Sequence, residues 1–392
     1  MPWKVSDTLD ERMRFILAHE SGLYSMTELC RQHGISRQNG YKWLARYAAE
    51  GLEGLRDRSR APLTSPQRMQ PPIEALLLQT RRERHHWGPR KILAHLALKH
   101  PELADVLPAA STVGDLFRRH HLVASRRRRI HAGQPPAPPL RAEAPNQVWT
   151  ADFKGEFRLG SGVYCYPFTL ADGFSRYLLT CQGQRSTALQ GVQAALTLAF
   201  RTYGLPEAIR TDNGTPFVGH GLTGLGTLGV WWIKLGIQHQ RIAPGRPDQN
   251  GRHERMHRTM KAETTRPPEE NFRRQQARFD RFRADFNHVR PHEALGQRPP
   301  ATLYTCSLRP FPERLPEPNY PGYSELRKLS HTGHFKFRGR TYFLARPLRG
   351  ERIGIVEIDD DVWSVRYYNY ELARLSPDRG NYFIHVSPMS PV

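Results

Sequence analysis

Three acidic residues stand out in a chain that is otherwise strongly basic. Glu254 lies within Arg241 to Lys261 (RIAPGRPDQNGRHERMHRTMK), just after a Pro/Gly turn and on a stretch that reads as helix. Arg258 and Lys261 follow it at i+4 and i+7, so one helix face carries a carboxylate flanked by cations. Asp152 is set among apolar neighbours in Trp149-Thr150-Ala151-Asp152-Phe153, as on a rigid strand. Asp212 follows the short apolar segment at Ala208-Ile209 and opens Asp212-Asn213-Gly214. Each alone has a plain explanation: an i, i+4 ion pair on a surface helix, or an Asp-Asn-Gly turn. Together they have a chemical one. Magnesium and manganese prefer oxygen ligands, and Mg²⁺ takes only one or two carboxylates per ion, so three acids can hold two ions. Such a pair serves an in-line phosphoryl displacement, in which the protein contributes positioning and charge stabilisation.

Composition says which substrate such a centre would meet. The chain has 392 residues, with 58 lysines and arginines against 37 acids and a formal net charge of +21. That excess favours a polyanion, because each phosphate neutralised releases counterions. The length allows two or three domains. Cys30, Cys165, Cys181 and Cys306 are far apart and form no CxxC pair, which argues against a disulfide framework and a cysteine zinc site and for reduced thiols in a cytoplasmic protein. There is no signal-peptide pattern and no uncharged apolar run near the ~20 residues of a membrane span, so no membrane role is expected.

These residues need elements to position them. The N-terminal part reads as two helix-turn-helix units in series. Leu9, Met13 and Ile16 recur at helical spacing, Ser25 with Glu28 fits a capping box, and Ser36 can cap a third helix to about Tyr47. On that third helix Trp43 and Leu44 can face inward, leaving Arg37, Gln38, Asn39 and Lys42 for a major groove. A second round is expected at Ile73 to Arg84, Pro89 to Leu98, and from Ser111-Thr112. Arg118 to His131 holds six arginines, Arg126, Arg127, Arg128 and Arg129 among them, and no acid; it reads as a solvated arm that can lie along a phosphate backbone.

The middle region reads strand, strand, strand, helix, strand, helix, strand, helix. The strands are expected at Val148 to Phe153, Val163 to Ala171, Tyr177 to Cys181, Ala208 to Thr211 and Ile237 to Ile242. Ser186 can cap a helix to Tyr203, a glycine-rich loop at Gly219 to Gly229 leads into a short helix at Val230 to Leu235, and Arg252 to Thr264 is helical. Phe279, Phe282 and Phe286 mark the core stripe of a last helix. In the tail, two hairpins are expected, His334 to Phe337 with Arg340 to Leu344, and Ile353 to Ile358 with Val362 to Tyr368; Asp359 to Asp361 reads as the second turn. Their spacing suggests a small barrel. Prolines at Gln134 to Pro145 and Pro310 to Pro321 mark linkers. The expected architecture is multidomain: all-α helix-turn-helix domains at 1–62 and 63–131, a linker at 132–145, an α/β core at 146–305, a linker at 306–325 and a small β-barrel at 326–392.

At this point a resemblance can be stated. Trp149-Thr150-Ala151-Asp152, Thr211-Asp212-Asn213-Gly214 and Pro244-Gly245-Arg246-Pro247-Asp248-Gln249-Asn250-Gly251 leading into Glu254-Arg255 resemble the integrase core of bacterial insertion-sequence transposases, within the DDE superfamily that includes retroviral integrases. Asn287-His288-Val289-Arg290-Pro291-His292-Glu293-Ala294-Leu295 also matches that pattern, and the likeness covers roughly Ala144 to Thr302. It implies a ribonuclease H-like fold and a triad of Asp152, Asp212 and Glu254 binding two Mg²⁺ or Mn²⁺ ions. It also implies nicking or strand transfer at transposon terminal inverted repeats, with a DNA 3′-hydroxyl as nucleophile and joining into target DNA. Asn213 and Gly214 would shape the loop beside the second acid, and Arg258 and Lys261 would contact DNA. A homo-oligomer on double-stranded DNA is expected, in the bacterial cytoplasm at the nucleoid. Two departures stand. Forty-one residues separate Asp212 from Glu254, longer than is usual, and the glycine-rich segment with Trp231-Trp232 accounts for the excess. The lone Cys30 cannot supply a retroviral-type N-terminal zinc module, so no zinc is expected. Two alternatives stay open: a DNA-binding regulator without chemistry, and a metal-dependent nuclease.

Overall fold

A computed structural model describes residues 7–58, 69–123, 142–219, 224–242, 251–320, 322, 325–377 and 382–385. The chain divides into two compact units, Met1–Gln70 and Pro71–Val392.

The first unit holds α1 (Thr8–Glu20), α2 (Met26–Gln32) and α3 (Arg37–Glu50), closed by a 3₁₀ turn at Gly51–Leu55. The capping box at Ser25 and Glu28 forms, and Ser36 caps α3 by accepting from the Asn39 N–H at 3.2 Å. Phe15, Ile16, Leu29, Cys30 and Leu55 make the core, with Trp43 and Leu44 packed on it. At Gly40 a Cβ would come within 2.9 Å of Cys30 Sγ and the Phe15 ring, so only glycine lets α3 approach this closely.

The second unit opens with α4 (Pro71–Glu83), α5 (Pro89–Lys99) and α6 (Ala110–Arg119). The last begins one residue before the expected Ser111, behind Ala109, with no side-chain cap. Arg81 ties the three together by donating to the carbonyls of His85, Trp87 and Leu122 at 2.5–2.7 Å.

A mixed sheet follows. Its strands are β1 (Val148–Phe153), β2 (Phe157–Arg158), β3 (Tyr164–Asp172), β4 (Leu178–Gln184), β5 (Ala208–Thr211) and β6 (Gln238–Arg241). The order is β4-β3-β1-β5-β6, antiparallel across the first three and parallel across the last three, with β2 paired to the start of β3. The helices between and after them are α7 (Leu189–Tyr203), α8 (Thr227–Lys234), α9 (Gly251–Thr264) and α10 (Phe272–His288). Alternation along β1 sends Trp149 and Ala151 to one face, against Val192, Leu196 and Phe200 of α7. The opposite face is covered by Met256 and Met260 of α9 and by Phe279, Phe282 and Phe286 of α10, the expected stripe. Helix α7 starts at Leu189, later than the expected Ser186: the Ser186 hydroxyl instead accepts from the Ala188 N–H at 3.4 Å, a short turn before the helix.

The tail comprises β7 (Glu325–Lys328), β8 (His334–Phe337), β9 (Arg340–Phe343), β10 (Arg352–Asp359), β11 (Val362–Tyr367), β12 (Tyr370–Ser376) and β13 (Tyr382–His385). Both expected hairpins form; β8 and β9 join through Arg338 and Gly339, each at positive φ (44° and 73°), as a two-residue hairpin turn requires. The other five strands make an antiparallel sheet in the order β13-β12-β11-β10-β7, and no pair that would close it into a barrel occurs among the described residues. The tail core takes in Leu225, Val230 and Ile233 from α8 and its approach, and Lys234 bridges Glu351 at 2.5 Å. The proline-rich segment from 310 is pinned to the central core at its start: Phe311 packs there, and Arg309 donates to Pro206, Leu235 and Gly236 carbonyls. No described helix is long and apolar enough to cross a membrane.

Candidate active site

The strand period that buries Trp149 and Ala151 turns Val148, Thr150 and Asp152 to the face that α9 covers. Asp152 ends up near the open edge of β1, its side chain 17% exposed. Opposite it in register lies Thr169 of β3, whose hydroxyl lies 3.1 Å from the Asp152 carbonyl. Helix α9 brings two imidazoles, four residues apart and therefore on one face, onto that hydroxyl. His253 Nε2 is 2.6 Å and His257 Nε2 2.7 Å from Thr169 Oγ1. Both rings are neutral: burial lowers the pKa of His253 to about 3 and of His257 to about 2, where His253 and Lys154 add to the effect.

More than one protonation pattern is compatible with this cluster, because His253 Nδ1 also lies 2.9 Å from Thr150 Oγ1, itself 3.2 Å from the Ala171 carbonyl. A threonine hydroxyl has one hydrogen and two lone pairs. If both imidazoles carry their proton on Nε2, each donates into Thr169, and Thr169 donates to the Asp152 carbonyl. His257 Nδ1 is then left as a lone pair, 3.9 Å from Asp152 Oδ2. An acceptor facing a carboxylate repels it unless a proton or a cation comes between them. In that pattern the donor set at Asp152 fits a divalent ion.

Asp212 follows β5 directly. Strands β1 and β5 pair in parallel up to Thr150↔Arg210, and Asp152 and Asp212 each lie two residues beyond that pair. Asp212 Oδ1 accepts from the Gly214 N–H at 3.1 Å, and Asn213 anchors the loop by donating to the Ile242 carbonyl and accepting from Arg241 Nε, both at 2.8 Å. The Asp-Asn-Gly segment is thus both turn and carboxylate holder. Glu254 is exposed on α9, one residue past His253, as are Arg258 and Lys261. Among the described residues, the side chains whose ligand atoms all come within 4.8 Å of one another are Asp152, His253 and His257; Asp212 and Glu254 fall outside that group. The two histidines were not singled out in the sequence, although the signal is there: His253 and His257 are spaced i, i+4 on a strongly helical stretch.

At the other candidate surface, Arg37, Gln38 and Asn39 are exposed on the first turn of α3. Lys42 is exposed too, with its ammonium 5.1 Å from the Trp43 ring centre. Arg126, Arg127, Arg128 and Arg129 lie outside the described residues.

Residues 142–247 and 235–300 each match an integrase core domain, residues 11–62 a helix-turn-helix domain and residues 39–117 a homeodomain-like domain. An uncharacterized 39.2 kDa protein of insertion element IS476 from Xanthomonas euvesicatoria is 30% identical over 165 residues, 41% of this chain and 45% of that protein. An uncharacterized 31.7 kDa protein of insertion element IS407 from Burkholderia multivorans is 28% identical over 159 residues, 40% of this chain and 55% of that one. The matches thus span about half the length of these relatives. Among solved structures, the simian T-cell lymphotropic virus intasome in complex with PP2A regulatory subunit B56 gamma aligns at a TM-score of 0.38 and 17% identity, covering 80% of this chain and 96% of that one. The HTLV-2 integrase catalytic core domain in complex with magnesium aligns at 0.34 and 15%, covering 42% and 99%. Behind segments that match helix-turn-helix models, then, this chain matches integrase core domains and is similar to insertion-element proteins.

Proposed function

We propose that the chain is a DNA transposase that cuts and joins DNA strands at transposon ends, with Asp152, Asp212 and Glu254 as its metal-holding acids. What supports this reading is that β1, which bears Asp152, pairs in parallel with β5, which Asp212 follows, while α9, which bears Glu254, packs over β1. Mg²⁺ or Mn²⁺ bound there would supply charge stabilisation to the attacking and leaving oxygens. The chain's own residues supply the rest. Thr169 meets the Asp152 carbonyl from behind, and Asn213 ties the turn at Asp212 to Arg241 and Ile242. Arg258 and Lys261, exposed on α9 beside Glu254, suit the phosphates of a strand laid along the site. Arg37, Gln38, Asn39 and Lys42 have the side-chain chemistry to read base edges of a terminal repeat. In joining, a DNA 3′-hydroxyl attacks a phosphodiester: one P–O bond forms, one breaks, and the displaced strand leaves with a 3′-hydroxyl. The number of ester bonds is unchanged, so no nucleotide cofactor is needed. Holding two ends together calls for more than one copy of the chain.

The test is a strand-transfer assay with the full chain, Mn²⁺ and labelled DNA from the ends of its own element. Joined products are the expected result. Nicks alone would make the protein a nuclease, and binding without either would make it a regulator.

A further inference from the structure

Helix α9 meets the sheet through two kinds of contact. Met256 and Met260 pack among apolar side chains of β3, β4 and α10. Toward Asp152 the same buried face turns polar: His253 and His257 are buried, and both end on the buried hydroxyl of Thr169. An apolar seat would hold the helix at less desolvation cost, because a buried polar group must be partnered merely to break even. What hydrogen bonds add is direction and distance, which non-directional apolar packing supplies only loosely.

The contacts run as a chain from α9 to the strand that carries Asp152. His253 Nε2 and His257 Nε2 lie 2.6 and 2.7 Å from Thr169 Oγ1, which lies 3.1 Å from the Asp152 carbonyl. His253 Nδ1 lies 2.9 Å from Thr150 Oγ1, two residues before Asp152 on β1. The two imidazoles leave the helix about 6 Å apart along its axis, four residues at about 1.5 Å each. Because they converge on one oxygen, sliding α9 in either direction lengthens one of the two contacts. Glu254 is the next residue after His253, so the tether that fixes His253 also fixes the backbone from which Glu254 extends.

We propose that His253, His257 and Thr169 are positioning residues that set the height of α9 against β1, and with it the separation of Asp152 and Glu254 that a shared divalent ion requires. The inference rests on the reading of those two acids as metal-holding, and not on strand transfer. Acids presented at a fixed spacing lose affinity for an ion when that spacing drifts, and groups that orient metal-binding side chains are worth about 10–100-fold in affinity.

The test compares Mn²⁺ affinity, read by electron paramagnetic resonance of the free ion, in the full chain and in His257→Leu and His257→Gln. Each is bound to duplex DNA from the end of its own element. Leucine removes the ring nitrogens; glutamine returns an amide near the position of Nε2. The expected result is affinity about tenfold weaker in His257→Leu and within about twofold of wild type in His257→Gln. Equal affinity in wild type and His257→Leu would overturn the proposal. So would equal losses in both variants, which would make His257 a direct ligand. A wild type that binds Mn²⁺ but joins no DNA would sink the transposase reading, while the comparison of variants would still judge the tether. A wild type that binds no Mn²⁺ would overturn both. Should His257→Leu fail to fold, ring ¹⁵N spectra of histidine-labelled wild type decide. His257 signals that move to saturation with added Mg²⁺ support the tether, and unmoved signals overturn it.

Discussion

Asp152 is held through its backbone before any ion arrives: its carbonyl meets the Thr169 hydroxyl, and its carboxylate lies 3.9 Å from His257 Nδ1. Replacing a carboxylate by its amide keeps shape and removes charge. Asp152→Asn, Asp212→Asn and Glu254→Gln should therefore each lower strand transfer by at least about a hundredfold, the scale of losing one preorganised charge-stabilising group. DNA binding should be nearly unchanged in a mobility-shift titration; a variant that kept near-full joining would remove its residue from the triad. Thr169→Val tests the support. It leaves two buried imidazole nitrogens without their partner, at roughly 1–3 kcal/mol each, and should shift the denaturant midpoint down accordingly. The strand, turn and helix that carry the three acids were legible, because each acid sits in a distinctive local pattern. The histidines were not, because a buried histidine on an apolar helix face is ordinary, and Thr169, the group that orients both, is 84 residues away from His253 in sequence.

Elements were legible where one period dominates. The stripe of Phe279, Phe282 and Phe286 gave α10, and the capping residues Ser25 and Ser36 gave α2 and α3. Less visible was what joins elements. Asn287, at the end of α10, is buried and pairs with both the N–H and the carbonyl of Leu178, at 2.8 and 3.0 Å, locking the helix to β4. Asn287→Ala should cost about 2–4 kcal/mol, since two buried backbone groups lose their partner; a loss below 1 kcal/mol would show that the clamp is dispensable. The long spacing between Asp212 and Glu254 also acquires a structural purpose. One face of α8, with Leu228, Trp231 and Trp232, fills the central core, while Val230 and Ile233 fill the core of the tail. Sequence alone could not show this, because α8 is apolar on nearly every side. At His292, burial that leaves Nε2 without a hydrogen-bond partner among the described residues links stability to pH. Its pKa is about 3 in the fold against an ordinary 6.5, so its contribution is complete above pH 6.5 and falls as acid protonates the unfolded chain, by up to about 1.4 kcal/mol per pH unit. Between pH 7 and 5 the wild type should lose about 1–2 kcal/mol more stability than His292→Gln. Parallel losses would contradict that assignment.

For the whole molecule the dominant quantity is the net charge of +21, which governs partners rather than fold. DNA affinity should fall linearly in log–log plots against salt, with a slope of about −0.9 per phosphate engaged. Alanine at Arg37, Gln38, Asn39 and Lys42 should weaken binding to the cognate end more than to random DNA; equal losses would reduce those residues to phosphate contacts. The central claim, however, is that acids 60 and 42 residues apart in sequence act as one centre. Anomalous diffraction from Mn²⁺-soaked crystals of the full chain with paired DNA ends tests it most directly. Manganese peaks with Asp152, Asp212 and Glu254 oxygens at about 2.0–2.2 Å are the expected result. Peaks at Asp152 and His257 alone, with Glu254 turned to solvent in the assembled complex, would contradict it.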